Sequence, residues 1–224
     1  GVYPSLDFAL LSHEEQELEL RYRHHHIYAI GHGAAVDWHL DQGIIRKIWT
    51  EFIPAVEVPH VTADAQNASS QALSLLVLSK STENLEETIE NLNRFISGYE
   101  TWVKARQTEI KHLSKQEQKA AQRIVQRMDH ALVRMKKGIN LIATDSKVAK
   151  AFGIANQAML HQMVQGAGIQ GKKLSHQAFQ WRPFQLAFIL TALESATDED
   201  TIDRDLVDLI WFPTGGGKTE AYLG

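Results

Sequence analysis

The 224-residue chain contains no cysteine, which excludes disulfide bonds and every zinc site built on thiolates and fits a reducing, cytoplasmic setting. It has no apolar run near the roughly 18 residues that a membrane-spanning helix needs, and no basic-then-apolar opening of the kind that marks a signal peptide. A soluble, unsecreted protein without a membrane partner is expected. Neither sign of charge dominates, since 27 acidic residues face 23 basic ones, so the total says nothing about partners and only the distribution can. Apolar residues make up 44% of the chain and charged ones 22%. That is ordinary globular usage, sufficient to bury a core. The first residue is Gly1 and the last, Gly224, falls inside a motif, so both ends are expected to be boundaries within a longer protein.

Ser12 followed by Glu15 is a capping-box pattern and predicts a polar helix through about Arg21. Beyond it, Ile27 to Ile30, Gly31-His32-Gly33, Ile44 to Trp49 and Phe52 to Val61 mix β-branched and aromatic residues with breakers, predicting a small irregular β or α/β portion. The period then turns helical. Leu85, Ile89, Leu92, Ile96, Tyr99 and Val103 share one face, and Ala121, Ile124, Met128, Ala131, Met135, Ile139 and Ile142 share another. With a short polar stretch at Leu113 to Lys115 between them, the two segments predict an antiparallel hairpin over 82–142. A further helix is expected over 146–165. Gly166-Ala167-Gly168 and Gly171 then predict a flexible break and a domain boundary near 175.

After that break, Trp181 to about Ser195 reads as a helix with Pro183 in its first turn. The run Leu206 to Phe212 suits a buried parallel strand, and a helix should open at Lys218. Between the two lies Phe212-Pro213-Thr214-Gly215-Gly216-Gly217-Lys218-Thr219-Glu220. Strand, glycine loop and helix start come in the order that cradling a phosphate requires. Glycines let successive N–H groups turn toward an anion, and the helix N-terminus adds partial positive charge. Lys218 would place its charge on the β and γ phosphates of ATP, and the Thr219 hydroxyl would hold Mg2+.

The loop departs from G-x-x-x-x-G-K-[ST] at Phe212, where the first glycine would stand, and resembles the Ala-Pro-Thr-Gly-x-Gly-Lys-Thr variant of superfamily 2 helicases everywhere else. Upstream, Trp181-Arg182-Pro183-Phe184-Gln185 resembles the Arg-x-x-Gln element of such helicases. There the glutamine reads the adenine edge, and an amide carries the donor and acceptor that N6 and N7 of adenine need. Arg182 to Leu190 and Phe212 to Gly224 are similar to stretches of the large helicase subunit of DISARM-type phage-defence systems. Gly31-His32-Gly33 with Trp38, and Ala151-Phe152 to Asn156 with Met159, carry the same likeness more faintly.

Together with the helical periods and the glycine break, this resemblance implies a mainly α N-terminal accessory domain over 1–175, with the irregular α/β part at 1–80. Residues 176–224 would then be the start of a RecA-like α/β motor domain, truncated after the Walker A loop. It also implies action on nucleic acid, DNA above all, in anti-phage defence, with other defence-system subunits as partners. The Walker B carboxylate and arginine finger that complete such a motor lie elsewhere. The alternative is another P-loop NTPase whose N-terminal helices bind a protein.

Three further constellations are open to two readings each. Lys111, Lys115, Lys119, Arg123 and Arg127 make a basic stripe on the second long helix, either a phosphate-backbone contact or a solvated face paired with Glu83, Glu86, Glu87 and Glu90. His24-His25-His26 with His32, Asp37 and His39 offers metal-ligand chemistry but matches no known site spacing, so a turn or strand edge is the expectation. Glu194, Asp198, Glu199, Asp200, Asp203 and Asp205 read as a solvent loop, because unpaired carboxylates beside a triphosphate would repel it.

Overall fold

The computed structural model describes residues 7–53, 70–211 and 217–223. By its internal contacts the chain forms two compact units, Gly1–His60 with Gln107–Val125, and Val61–Arg106 with Gln126–Gly224.

In the first unit, helix α1 (His13–Tyr22) opens with the expected capping box. Ser12 Oγ accepts from the Glu15 backbone N–H at 3.3 Å, and Glu15 Oε2 accepts from the Ser12 N–H at 2.8 Å. The Ser12 hydrogen bonds also hold the Glu15 carboxyl below its ordinary pKa. Strands β1 (Ala35–Asp41) and β2 (Ile44–Glu51) pair antiparallel with Trp38 opposite Ile48. Gln42 and Gly43 join them, both at positive φ, as the right-handed twist of a tight hairpin demands. The expected strand at Ile44 to Trp49 is therefore β2. Ile27 to Ile30 has no strand partner among the described residues, and Ala35–Asp41 supplies the pairing edge instead. Pro54 to Val61 lies outside the described residues. The unit's apolar centre is small: Leu20, Ala120 and Ala121, with Phe8, Ile110, Leu113 and Ile124 against them.

The two predicted long helices are α4 (Leu85–Glu109) and α5 (Lys115–Thr144), and each contributes to both units. Between them a single 3-10 turn, Ile110–His112, precedes Ser114, whose Oγ accepts from the Glu117 N–H while Glu117 Oε2 accepts in return. Lys111 stands in that turn and not on α5, so the basic stripe begins on the helix only at Lys115.

The core of the second unit is formed by one apolar stripe from each of four helices. Leu92 and Ile96 of α4 and Leu132, Met135, Ile139 and Ile142 of α5 meet two later helices. These are α6 (Ser146–Ile169), with Phe152, Met159 and Leu160, and α7 (Pro183–Thr197), with Leu186, Ile189 and Leu190. Short helices α2 (Ser70–Leu73) and α3 (Leu75–Leu78) close the cluster with Leu73, Leu75 and Leu78. Gly138 marks where α5 and α7 cross closely, since a Cβ there would stand 2.2 Å from the Leu190 carbonyl oxygen. Trp181 is fully buried, and its Nε1–H donates to Asn156 Oδ1 at 2.7 Å. Residues on both sides of position 175 thus share one core.

Two expectations are corrected here. Gly166-Ala167-Gly168 is not a flexible break, for α6 runs through it to Ile169 and stops at Gly171, whose φ of 72° only glycine adopts at no cost. Each helical glycine costs about 1 kcal/mol relative to alanine. Met163, Val164 and Ala167 packing on the core offset that. The second correction is Leu206 to Trp211, which forms no strand and leaves Val207 and Leu209 89% and 88% exposed. A parallel strand is stable only between neighbours that take its N–H and C=O groups, and among the described residues the only sheet is the β1–β2 pair. Helix α8 (Lys218–Leu223) does open at Lys218.

Candidate nucleotide site

The two elements singled out in the sequence meet through one side chain. Pro183 begins α7 with a fixed φ, and Gln185 folds back so that its Oε1 accepts from the Arg182 N–H at 2.7 Å. The same amide reaches across to the glycine loop, where Nε2 donates to the Gly217 carbonyl at 2.6 Å. Gln185 is 3% exposed, so both bonds are made out of water, where an unmade one would be costly. Gly217 has φ 81°, and a Cβ there would stand 2.7 Å from Gln185 Nε2 and 3.2 Å from Glu220 Oε2. A side chain there would strain the backbone and push the Gln185 amide aside. Phe188 and Tyr222 meet edge to face at 5.7 Å and hold α8 on α7.

Lys218, Thr219 and Glu220 form the first turn of α8, with Thr219 exposed and Lys218 partly so. Glu220 Oε2 is sealed from solvent and has no hydrogen-bond partner among the described residues. Pro213, Thr214, Gly215 and Gly216, the remaining expected loop residues, lie outside the described residues, as does Phe212. A glycine at positive φ thus leads into a helix that starts with lysine and threonine.

Sequence reasoning missed an ionic cluster on α5. Arg134 of α5 is 4% exposed, and its guanidinium grips Asp208 with two parallel bonds of 2.7 Å each. Its Nε lies 3.7 Å from buried Asp203, which also faces His130 Nε2 at 3.4 Å. Lys137 Nζ donates to Glu194 at 2.9 Å. Hydrogen bonding to Asp208 raises the pKa of Arg134, and hydrogen bonding to Glu194 raises that of Lys137. The acidic stretch is therefore in part a buried partner for α5, which corrects the solvent-loop reading for Glu194 and Asp203. The signal was available: Arg134 interrupts the apolar face between Leu132 and Met135, and a guanidinium in that position needs a carboxylate.

The other constellations stay apart from the loop or take other roles. Arg123 Nε is 3.0 Å from Glu17 of α1, and its Nη2 donates to Gln16 Oε1 at 3.0 Å, so its acidic partner is α1 and not α4. Lys111, Lys115, Lys119 and Arg127 are exposed. His24, His25, His26, His32, Asp37 and His39 are also exposed, and among the described residues no three His, Asp or Glu side chains come together to hold a metal ion. No described helix is long and apolar enough to cross a membrane.

Fold and site together define a mainly helical protein whose last described helix opens on a glycine–lysine–threonine turn fastened to an upstream glutamine. No protein-family model matches the chain. It is 33% identical over 221 residues to the DISARM protein DrmA of Bacillus paralicheniformis, an alignment that takes in 92% of this chain. The chain spans 19% of the length of that curated relative. It is thus similar to a segment of a DISARM protein.

Proposed function

We propose that the chain is part of an ATP-driven superfamily 2 helicase or translocase that acts on nucleic acid, DNA above all, in anti-phage defence. The observation that carries the reading is the hydrogen bond from Gln185 to Gly217, because it joins an Arg-x-x-Gln element to the glycine loop as a single nucleotide site would require. Similarity to a DISARM protein supports the defence role and a place among other defence-system subunits.

In this reading Pro213, Thr214, Gly215, Gly216 and Gly217 offer backbone N–H groups to the phosphates, and Lys218 adds its point charge. Thr219 is the residue that would hold Mg2+, which when bound neutralises charge on the β and γ phosphates. Among the described residues, each atom of the Gln185 amide uses one of its two hydrogen-bonding positions. One N–H and one lone pair remain for the adenine edge, with Arg182 beside them. Residues 176–224 are then the opening of a RecA-like motor domain built onto the helical core.

The test is steady-state hydrolysis by the whole protein with ATP and GTP, with and without duplex DNA. ATP should be preferred, DNA should stimulate turnover, and Gln185→Ala should narrow the ATP preference by roughly 1–3 kcal/mol, the worth of a bidentate amide contact to a base. An unaltered preference would remove the adenine role from Gln185. Absence of hydrolysis under every condition would overturn the whole reading.

A further inference from the structure

We infer that the cleft between α3, the turn that follows it and α6 binds a small phosphomonoester, a ligand with one phosphate group on a compact organic body. The cleft holds about 330 Å³ and is lined by Lys80, Lys150, His161 and His176, with Glu83 the one carboxylate among its lining residues. The lysines that α4 and α5 bring to the second unit are matched, Lys104 and Lys136 by Glu100 and Lys137 by Glu194. Among the described residues Lys80 and Lys150 have no ion-pair partner, and Glu83 does not pair with either. Two unpaired ammonium groups and two imidazoles, each with an N–H to donate, thus meet at one concave site.

The walls of the cleft are fixed before any ligand arrives. Lys150, Gly153, Ile154, Gln157 and His161 fall at helical spacing on one face of α6. The turn after α3 is fastened to α6 by the buried Ser81 hydroxyl, which donates to the Ala149 carbonyl at 3.0 Å. Gly153 admits that turn, since a Cβ there would stand 2.7 Å from Ser81 Oγ. The segment carrying His176 is held to α3 by the Leu75 N–H, which donates to the Phe179 carbonyl at 3.2 Å. Lysine binds phosphate as a point charge, and a phosphomonoester carries about 1.5 to 2 negative charges near pH 7, which two ammonium groups balance. Leu76, Ile154 and Leu160 give the organic body an apolar wall. The volume stands at the small end of the roughly 300–1,000 Å³ that small-molecule sites span, which suits one phosphate on a short body. None of these residues belongs to the glycine loop, so the inference does not rest on the nucleotide reading.

The test is calorimetric titration of the whole protein with glycerol 3-phosphate, with glycerol, inorganic phosphate and a single-stranded oligonucleotide in parallel. The same ligands are titrated into the Lys218→Ala protein, whose glycine loop has lost its cation. Glycerol 3-phosphate should bind saturably to both, inorganic phosphate more weakly, and glycerol not at all. Lys80 and Lys150 are exposed, so Lys80→Met and Lys150→Met should leave the helical circular dichroism unchanged. Each should weaken binding by roughly 10- to 100-fold, the worth of one charged hydrogen bond, and Glu83→Gln should tighten it. No saturable binding of glycerol 3-phosphate overturns the proposal, as does binding that both lysine variants leave unaltered. Binding lost in Lys218→Ala but kept in the lysine variants would place the phosphate at the glycine loop and overturn it too. Inorganic phosphate binding as tightly as glycerol 3-phosphate would overturn the assignment of an organic body. An oligonucleotide that displaces glycerol 3-phosphate and depends on the same two lysines would give the cleft to backbone phosphates instead of a small ligand.

Discussion

Arg134→Met should destabilise the second unit far more than loss of a surface charge would. The methionine roughly fills the stem of the arginine, so little packing is lost, but Asp203, itself buried, loses the guanidinium and keeps only the exposed His130 ring beside it. Breaking a buried pair by removing one partner typically costs about 3–5 kcal/mol, against about 0–1 kcal/mol for an exposed pair. Asp208 keeps 29% of its side-chain exposure and can turn to water, so most of the penalty should come from Asp203. Adding Asp203→Asn and Asp208→Asn to Arg134→Met removes the stranded charges and should restore most of the loss. The assay is urea unfolding followed by helical circular dichroism, with the midpoint read at constant slope. A cost under about 1 kcal/mol for Arg134→Met, or no recovery in the triple variant, would refute the view that this cluster is a buried ionic unit.

Trp181→Phe should cost about 1–3 kcal/mol in the same assay, because Asn156 Oδ1 loses its buried donor; a cost near zero would mean that the bond contributes little. Gly138→Ala should destabilise by about 1–3 kcal/mol through overpacking at the α5–α7 crossing, since its Cβ would stand 2.2 Å from the Leu190 oxygen; a neutral outcome would show that the crossing yields. Hydrogen bonds from Lys136 and Lys104 pull the Glu100 carboxyl down from 4.5 to about 2. A depressed carboxylate stabilises the fold above its unfolded pKa, so this contribution should be present above about pH 4.5 and lost as pH falls toward 2. NMR titration of Glu100 giving a midpoint near 4.5 would contradict the pairing.

The helical framework was legible because its residues repeat. Leu85, Leu92, Ile96 and Val103, and Met135, Ile139 and Ile142, recur at helical spacing, and each set is buried or half-buried where its face predicts. Capping at Ser12 and the proline start of α7 were legible for the same reason, being short-range chemistry. What depended on distant partners was not. Ala35 to Asp41 alternates Val36, Trp38 and Leu40, a strand pattern overlooked beside the glycines before it. Gly166 and Gly168 suggested a hinge because the packing of Ala167 on the core cannot be read locally. Leu206 to Trp211 has strand composition without strand neighbours, and composition alone does not supply them. At the site, Lys218 as the start of a helix was legible from the loop pattern and Arg134 on an apolar face signalled a buried carboxylate, whereas the identity of that carboxylate, Asp208, and the grip of Gln185 on Gly217 join positions too far apart in sequence for any local signal.

The most direct test of the central claim is magnesium-dependent ATP hydrolysis by the whole protein, compared with its Lys218→Ala variant and with this 224-residue chain alone. The account expects turnover by the whole protein, none above background by Lys218→Ala with its helical signal intact, and none by the chain alone. An arginine finger is worth about 10³ to 10⁵ in rate, and no such residue is assigned within this sequence. Hydrolysis that survives Lys218→Ala in the whole protein would contradict it.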